Sequence, residues 1–200
     1  MVEYLLWVCD SNITRSPAAA YLSKKAIAEL CVTRGIESTL VVDSAGLRQG
    51  RELGMKEEMV QALMYLGHPR SDAHRVKLVT STMLQKYEDR GRILCFEEKQ
   101  AQGIVEISPH LESRVRTPSM YGLPGGDIIS PDDIITDIPL QHVLLNLPYI
   151  ARKWIYGKLG GTNRKDRMAV LELHVDTVRR IEEYVRLALE KMLEEGFGFK

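Results

Sequence analysis

Two residues near the start of the chain, Cys9 and Arg15, have types and a spacing that suit chemistry on an oxyanion. Cys9 follows the apolar run of residues 4–8, and five residues separate it from Arg15. A cysteine side chain is a nucleophile in its thiolate form. A guanidinium group offers a planar pair of donors that matches two phosphate oxygens. One short segment would therefore deliver both a nucleophile and an oxyanion clamp.

The flanking residues predict how this segment is held. The apolar run is short for a helix and favours a buried strand. Ser16 suits a helix N-cap and Pro17 the first helical position, so we expect a helix over 17–34 that ends at Gly35. A loop between a strand and a helix N-terminus points backbone N–H groups at an anion, and the helix dipole adds positive charge. These effects and the neighbouring arginine favour the thiolate form of the cysteine.

The same spacing also has a plainer interpretation. A cysteine at a strand end is a common core residue, and the arginine would then be a surface residue. The Cys-x5-Arg pattern alone occurs often by chance, whereas the Ser-Pro that follows and the strand–loop–helix context favour the chemical interpretation. The loop lacks the Gly-x4-Gly-Lys-[Ser/Thr] pattern, so it is not a nucleotide-binding P-loop.

Composition and charge restrict the class of function. The 200 residues suffice for one domain with a substantial core, and 27 basic and 27 acidic residues give zero net charge. This balance argues against nucleic-acid and membrane partners, and no apolar run reaches the ~20 residues of a membrane span. The start lacks the basic segment of a signal peptide. Three distant cysteines do not form a disulfide framework, so we expect a reducing, cytoplasmic setting.

Apolar and turn residues predict alternating strands and helices along the rest of the chain. Beyond the first strand, we expect strands over 38–43, 92–96 and 115–121. We expect helices over 51–66, 79–88 and 97–105, and a C-terminal helix from an apolar stripe between 171 and 192. Such alternation indicates an α/β fold with a parallel sheet and helices on both faces. We interpret 1–200 as a single domain.

Residues 8–17 resemble the signature loop of the low-molecular-weight protein tyrosine phosphatase family. Residues 42–46 resemble that family's second conserved stretch, and weaker similarities occur at 71–75, 92–97 and 135–139. The resemblance implies a flavodoxin-like three-layer sandwich with a four-stranded parallel sheet in the order 2-1-3-4. Ligands of such folds bind at the carboxyl ends of the strands, where Cys9 lies.

The resemblance also implies a reaction without a cofactor. Cys9 would attack the phosphorus of a tyrosine-phosphorylated protein or a small aryl phosphate, and Arg15 would hold the phosphate. Asp137 would protonate the leaving oxygen, and a cysteinyl-phosphate would then be hydrolysed. Pro139 lies one residue later than in the family, so Asp133 remains the alternative acid.

The remaining site residues are likewise implied by the resemblance. The phosphate-binding loop would comprise Asp10, Ser11, Asn12, Ile13, Thr14 and Arg15. Ser16 would donate a hydrogen bond to Cys9, while Ser44 and His74 would hold Asn12 in place. Asp10 is unusual beside a nucleophile, and we expect its carboxylate to point outward along the pocket rim. The histidines have no metal-binding spacing, so we predict no metal site.

Two other functions remain open at this stage. Some relatives use the same loop as arsenate reductases, which need further thiols to resolve a cysteine–arsenic adduct. Cys31 and Cys95 lie in apolar patterns, and we expect both to be inert core residues. The other alternative is a phosphate- or phosphotyrosine-binding module without turnover, which the shifted proline would favour.

Residues 140–169 form an insertion that the family pattern does not explain. The segment contains apolar and aromatic residues, among them Tyr149 and Trp154, and then a charged stretch. It could pack on the core as an extra helix, or it could act as a lid or a dimer contact. The oligomeric state is therefore left open by the sequence.

Overall fold

A four-stranded parallel sheet forms the centre of the protein. The computed structural model describes residues 1–48, 54–70, 74–131 and 164–200, the last range with side chains from residue 171 onward. The strands are β1 Glu3–Cys9, β2 Leu40–Gly46, β3 Gly91–Cys95 and β4 Val115–Arg116. They are arranged in the order β2-β1-β3-β4, and every pairing is parallel. The predicted strand order and the flavodoxin-like α/β class are confirmed.

Five α-helices are described beside the sheet. They are α1 Arg15–Arg34, α2 Glu57–Tyr65, α3 Ser81–Leu84, α4 Glu98–Ile107 and α5 Arg164–Glu194. Successive side chains of a strand point to opposite faces. Leu5 and Trp7 accordingly pack with residues of α1, α2 and α5, whereas Leu6 and Val8 pack with residues of α3 and α4. This arrangement gives the three layers of the expected sandwich.

An aromatic cluster fixes the carboxyl ends of β1 and β3. The Trp7 ring lies 5.6 Å from the Phe96 ring and 5.0 Å from the Tyr184 ring of α5, measured between centroids. The Trp7 indole donates a hydrogen bond to Ser23 Oγ of α1 at 2.9 Å, and the Tyr184 hydroxyl donates to the Cys95 carbonyl at 3.2 Å. The strand ends that lead into the site are thus tied to both α1 and α5.

Two helix boundaries differ from the sequence predictions for identifiable reasons. Helix α1 begins at Arg15, with Thr14 as the N-cap, because the Ser16 hydroxyl is engaged elsewhere. Helix α2 begins only at Glu57, because the backbone of Lys56 is extended and its N–H donates to the Ile13 carbonyl at 2.7 Å.

The other differences concern β2, β4 and the predicted helix over 79–88. Strand β2 continues to Gly46, and β4 is short because a 3₁₀ turn over Pro118–Tyr121 begins directly after Thr117. The predicted helix consists of α3 and a 3₁₀ turn over Gln85–Tyr87.

The C-terminal helix confirms its predicted apolar stripe. Leu171 is partly buried against the core, and six stripe residues are buried: Val175, Val178, Ile181, Val185, Ala188 and Met192. Helix α5 begins at Arg164, so residues 164–169, the end of the predicted insertion, lie in this helix. The preceding part of the predicted insertion lies outside the described residues. None of the described helices has the length and apolar character needed to span a membrane.

Candidate active site

The loop between β1 and α1 brings a cysteine, a serine and an asparagine into direct contact. Cys9 Sγ lies 3.0 Å from Ser16 Oγ, and the Asn12 N–H donates to the sulfur at 3.3 Å. Cys9 is the last residue of β1, and its side chain is buried. Parallel α/β sheets bind ligands at this end of the strands. Cys9 therefore lies at the edge of the sheet where a ligand site is expected.

Asn12 holds the shape of the loop with its backbone and its side chain. Its φ is +56°, a left-handed conformation that asparagine tolerates better than most residues. Its side-chain amide donates to Ser16 Oγ at 2.9 Å, and the Lys77 N–H donates to its Oδ1 at 2.9 Å. His74 Nε2 donates to its carbonyl oxygen at 2.8 Å. The backbone and side-chain polar groups of this buried residue thus form hydrogen bonds that fix the conformation of the loop.

Ser44 plays a different part from the one that we expected. Among the described residues, the partners of Asn12 are Cys9, Ser16, His74 and Lys77, and the Ser44 hydroxyl is not one of them. Ser44 is buried, and its N–H donates to the Asp43 carboxylate at 2.8 Å. The Asn12 side chain is held by the Lys77 backbone instead, because residues 77–79 pair with Gly46 beside β2.

Several backbone N–H groups of the loop are available to bind an anion. Within the described part of the chain, the N–H groups of Ser11, Ile13 and Thr14 have no hydrogen-bond acceptor. They belong to the same loop as the Asn12 N–H that contacts the Cys9 sulfur, immediately before the N-terminus of α1. Backbone N–H groups at a helix N-terminus form an anion-binding site. The loop can therefore bind an oxyanion in front of the cysteine.

Ser16 can respond to the ionisation of the cysteine. Its hydroxyl has one proton, and both Cys9 Sγ at 3.0 Å and the Ala45 carbonyl at 3.2 Å are within reach. A thiol proton would allow the Ser16 proton to bond to Ala45, whereas a thiolate would accept it directly. Hydrogen bonds to an ionised group are stronger than neutral ones, and the Ser16 hydroxyl is within reach of such a group at Cys9.

Arg15 is buried and anchored at both ends of its guanidinium group. Nη1 donates to Glu97 Oε1 and, at 2.7 Å, to the Ile128 carbonyl. Nη2 donates to Asp10 Oδ2 at 2.9 Å. Burial by itself would lower the Arg15 pKa, but the nearby Cys9, Glu97 and Asp10 raise it above its ordinary value. The guanidinium is therefore a permanent cation at the loop.

Two residues that the sequence analysis missed, Glu97 and Gln100, support this cation. Gln100 is fully buried, and its Nε2 donates to Glu97 Oε1 at 2.7 Å and to Asp10 Oδ2 at 2.9 Å. The Phe96 N–H donates to Gln100 Oε1 at 3.1 Å, which fixes the orientation of the amide. Glu97 directly follows the predicted strand over 92–96, and this position at the binding edge of the sheet was the available signal.

Asp10 does not point outward along the rim, as we expected. Its carboxylate turns toward the loop and bonds to both Arg15 and Gln100. The Asp10 side chain keeps 29% of its exposure, whereas the Arg15 side chain keeps 2%. The expectation was wrong because a buried guanidinium and a buried amide donor both face this carboxylate.

Gly46 is required by the close approach of β2 to the loop. A Cβ atom at this position would lie 2.7 Å from both Asn12 N and the Ser11 carbonyl carbon, and 3.0 Å from the Asp10 carbonyl oxygen. Backbone atoms cannot move away from such a contact cheaply. The glycine at the end of Ser-Ala-Gly therefore lets the loop lie against the sheet.

The other predicted chemical residues contribute less to the described site. Asp133 and Asp137 lie outside the described residues. Cys95 is fully buried, and burial raises its thiol pKa well above the ordinary range. Cys31 is half-buried on α1, about 24 Å along the helix from Arg15 at 1.5 Å per residue. The described residues contain no group of three His, Cys, Asp or Glu side chains suited to a metal ion.

Comparison with known families identifies the family to which this chain belongs. The family model of the low molecular weight phosphotyrosine protein phosphatases matches residues 4–123. The chain belongs to this family, and this membership places the protein among the phosphatases, a class of hydrolases. The match ends before residues 135–139, where the acid was predicted. The search of curated proteins gives no significant match.

Solved structures share the fold at low sequence identity. The chain is similar to YwlE arginine phosphatase from Geobacillus stearothermophilus, with 19% identity, a TM-score of 0.64 and coverage of 96% of this chain and 94% of that one. It is also similar to a low molecular weight phosphotyrosine phosphatase from Vibrio cholerae, with 17% identity, a TM-score of 0.66 and coverage of 97% of this chain and 99% of that one. A third similar structure is a YwlE arginine phosphatase variant with a phosphorylated active-site serine. It has 18% identity, a TM-score of 0.61 and coverage of 94% of this chain and 95% of that one.

Replacement of Gly46 by alanine should disrupt the loop. Because the new Cβ meets backbone atoms at 2.7 Å, we expect a loss of about 1–3 kcal/mol in the free energy of unfolding and a loss of oxyanion binding. Denaturant unfolding and phosphate titration measure the two effects. Gly54→Ala is the matched control, since its Cβ would make an ordinary 3.6 Å contact. Equal behaviour of the two variants would contradict this role of Gly46.

His74 should make the stability of the protein depend on pH. Burial lowers its pKa below the ordinary value, despite the bond to the Asn12 carbonyl. As the pH falls, the unfolded chain therefore takes up this proton first, and stability decreases below about pH 6.5. Unfolding titrations from about pH 7.5 to about pH 5.5 should show a smaller decrease for His74→Gln than for the unchanged chain. Identical decreases would contradict the assignment.

Proposed function

We propose that the protein hydrolyses aryl phosphate monoesters, above all phosphotyrosine in proteins, through a cysteinyl-phosphate intermediate. The observation that carries this proposal is the geometry around Cys9. The sulfur accepts a hydrogen bond from the Asn12 N–H and lies 3.0 Å from the Ser16 hydroxyl, and the buried Arg15 cation begins the helix that follows the loop. Family membership supports the same class of reaction.

The proposed reaction has two balanced steps. The Cys9 thiolate forms a bond to phosphorus as the bond between phosphorus and the leaving oxygen breaks, and a general acid protonates that oxygen. The resulting carboxylate then takes a proton from water as the water oxygen bonds to phosphorus. The sulfur–phosphorus bond breaks, and phosphate and the thiolate are released. Arg15 and the loop amides stabilise the charge in both transition states.

The general acid is proposed among the aspartates that follow Ser130. Asp137 is our first choice and Asp133 the alternative, and both lie outside the described residues. The preceding chain reaches the site, because the Ile128 carbonyl accepts a hydrogen bond from Arg15 at 2.7 Å. Ser130 and Pro131 are buried. A segment anchored beside the arginine in this way supports an acid that follows it closely in sequence.

The structure gives little support to an arsenate reductase. Such a reaction needs a second thiol that reaches the Cys9 adduct. Cys95 is fully buried and its thiol pKa is raised, and Cys31 lies near the other end of α1 from Arg15. A binding module without turnover would not need the serine contact that prepares a thiolate for departure. A reducing compartment such as the cytoplasm would keep Cys9 a free thiol.

Phosphoarginine is a second candidate substrate. Two of the similar solved structures are arginine phosphatases. Phosphoarginine has a cationic leaving group, and a carboxylate close to the phosphate position would attract it. Asp10 is such a carboxylate, since it bonds directly to Arg15. A comparison of kcat/KM for a phosphoarginine and a phosphotyrosine peptide of the same sequence distinguishes the two substrates.

Substitutions of Cys9 and Arg15 should separate binding from turnover. Cys9→Ser should abolish turnover of an aryl phosphate and retain phosphate binding, because a serine hydroxyl is not a thiolate at neutral pH. Arg15→Lys should abolish turnover and weaken the binding of a transition-state analogue, because one ammonium cannot replace a bidentate fork. Turnover near the rate of the unchanged chain in either variant would contradict the assigned role. EDTA should leave the activity unchanged.

Substitutions of the two candidate acids should identify the proton donor. Asp137→Asn should lower kcat by roughly 10²–10⁴-fold and remove the high-pH limb of the rate profile, because the carboxyl must be protonated for the first step. Asp133→Asn is the matched comparison and should have little effect. A damaging Asp133→Asn and a harmless Asp137→Asn would transfer the role to Asp133. The pH profile of the unchanged chain should be bell-shaped with an acidic optimum.

A further inference from the structure

Arg15 bonds to two carboxylates that differ in accessibility. The side chain of Glu97 keeps 8% of its exposure and meets Nη1, which also donates to the Ile128 carbonyl. The side chain of Asp10 keeps 29% and meets Nη2 at 2.9 Å. The Nη1 end is therefore enclosed by protein, and the Nη2 end is covered by a partly exposed side chain.

A phosphate in front of Cys9 that binds a terminal nitrogen of Arg15 would compete for Nη2 rather than for Nη1. Arg15 is on the same loop as the amides that face the anion, and Nη1 has two acceptors within the protein, Glu97 and Ile128. Of the two terminal nitrogens, Nη2 is thus the one whose protein partner is a partly exposed side chain, that of Asp10. A carboxylate and a phosphate repel each other and compete for the same hydrogen-bond donors.

Gln100 holds Asp10 in the covering position. Its Nε2 donates to the same Asp10 oxygen that Arg15 Nη2 contacts, at 2.9 Å in both cases. Gln100 cannot easily release this bond by turning, because its Oε1 accepts the Phe96 N–H and its Nε2 also donates to Glu97. The covering carboxylate is therefore held by two donors that are themselves fixed.

We propose that Asp10 is an internal competitor for the oxyanion at Arg15, which phosphate must displace in order to bind. This inference rests on the proposed phosphate site. The Asp10 side chain can move into solvent when it is displaced, because it is 29% exposed, whereas the Glu97 side chain is only 8% exposed. Asp10 thereby weakens the binding of free phosphate, which is the product, and favours substrates whose other contacts compensate for the displacement.

The two carboxylates should therefore have opposite effects on phosphate affinity. Asp10→Asn should strengthen the binding of inorganic phosphate by about tenfold or more, because a charged competitor is replaced by a weaker neutral acceptor. Glu97→Gln should weaken it, because Glu97 fixes the guanidinium from the enclosed side. Asp127→Asn is the matched control, since it removes a nearby carboxylate that contacts the Glu98 N–H rather than Arg15. It should leave the affinity unchanged within about twofold.

Isothermal titration calorimetry of the purified chains with inorganic phosphate measures these affinities, and circular dichroism reports whether each variant is folded. Asp10→Ser serves as the second variant and should also bind phosphate more tightly. Unchanged or weaker binding in both folded Asp10 variants would overturn the inference while leaving the phosphate site in place. Absence of phosphate binding in the unchanged chain and in every Asp10 variant would overturn the proposed function as well.

Discussion

The close contact between the β1–α1 loop and the end of β2 is the constraint on which the site depends. The loop can approach only because Gly46 has no side chain, and it keeps its shape only because Asn12 adopts a left-handed backbone. From that conformation Asn12 presents its N–H to Cys9 and its side chain to Ser16. The sulfur, the hydroxyl and the loop amides then converge without further adjustment. Such preorganisation is what stabilises developing charge in a transition state.

Arg15 satisfies two demands that oppose each other. A buried cation needs partners, because an unpaired charge in the interior is costly. A phosphate clamp needs a donor that substrate can reach. The protein meets the first demand with Glu97 and the Ile128 carbonyl at one end of the guanidinium. At the other end, the partner is the more exposed Asp10. This division explains how one arginine can be both anchored and available.

The sequence predicts local features of the site better than those that depend on tertiary contacts. Cys9 and Arg15 could be recognised because a strand, a loop and a helix follow one another in sequence. The roles of Glu97 and Gln100 could not, because they depend on the pairing of β3 beside β1, which brings residues more than eighty positions apart into contact.

The errors of the sequence predictions have the same origin. Ser16 was interpreted as an N-cap from its type, whereas its hydroxyl bonds within the site. The outward position of Asp10 was inferred without knowledge of the buried donors of Arg15 and Gln100. In each case a nonlocal hydrogen bond outweighs a local preference.

In the proposed mechanism, Cys9 carries the phosphoryl group during turnover. The direct measurement is to mix the protein with an aryl phosphate, stop the reaction with acid within one turnover, and analyse the intact chain and its N-terminal peptide by mass spectrometry. We expect one phosphoryl group on Cys9 and none on the chain with Cys9→Ala. In a sample that is not stopped with acid, further incubation should release the group from Cys9. Product formation with no phosphoryl group on Cys9, or equal turnover by Cys9→Ala, would contradict it.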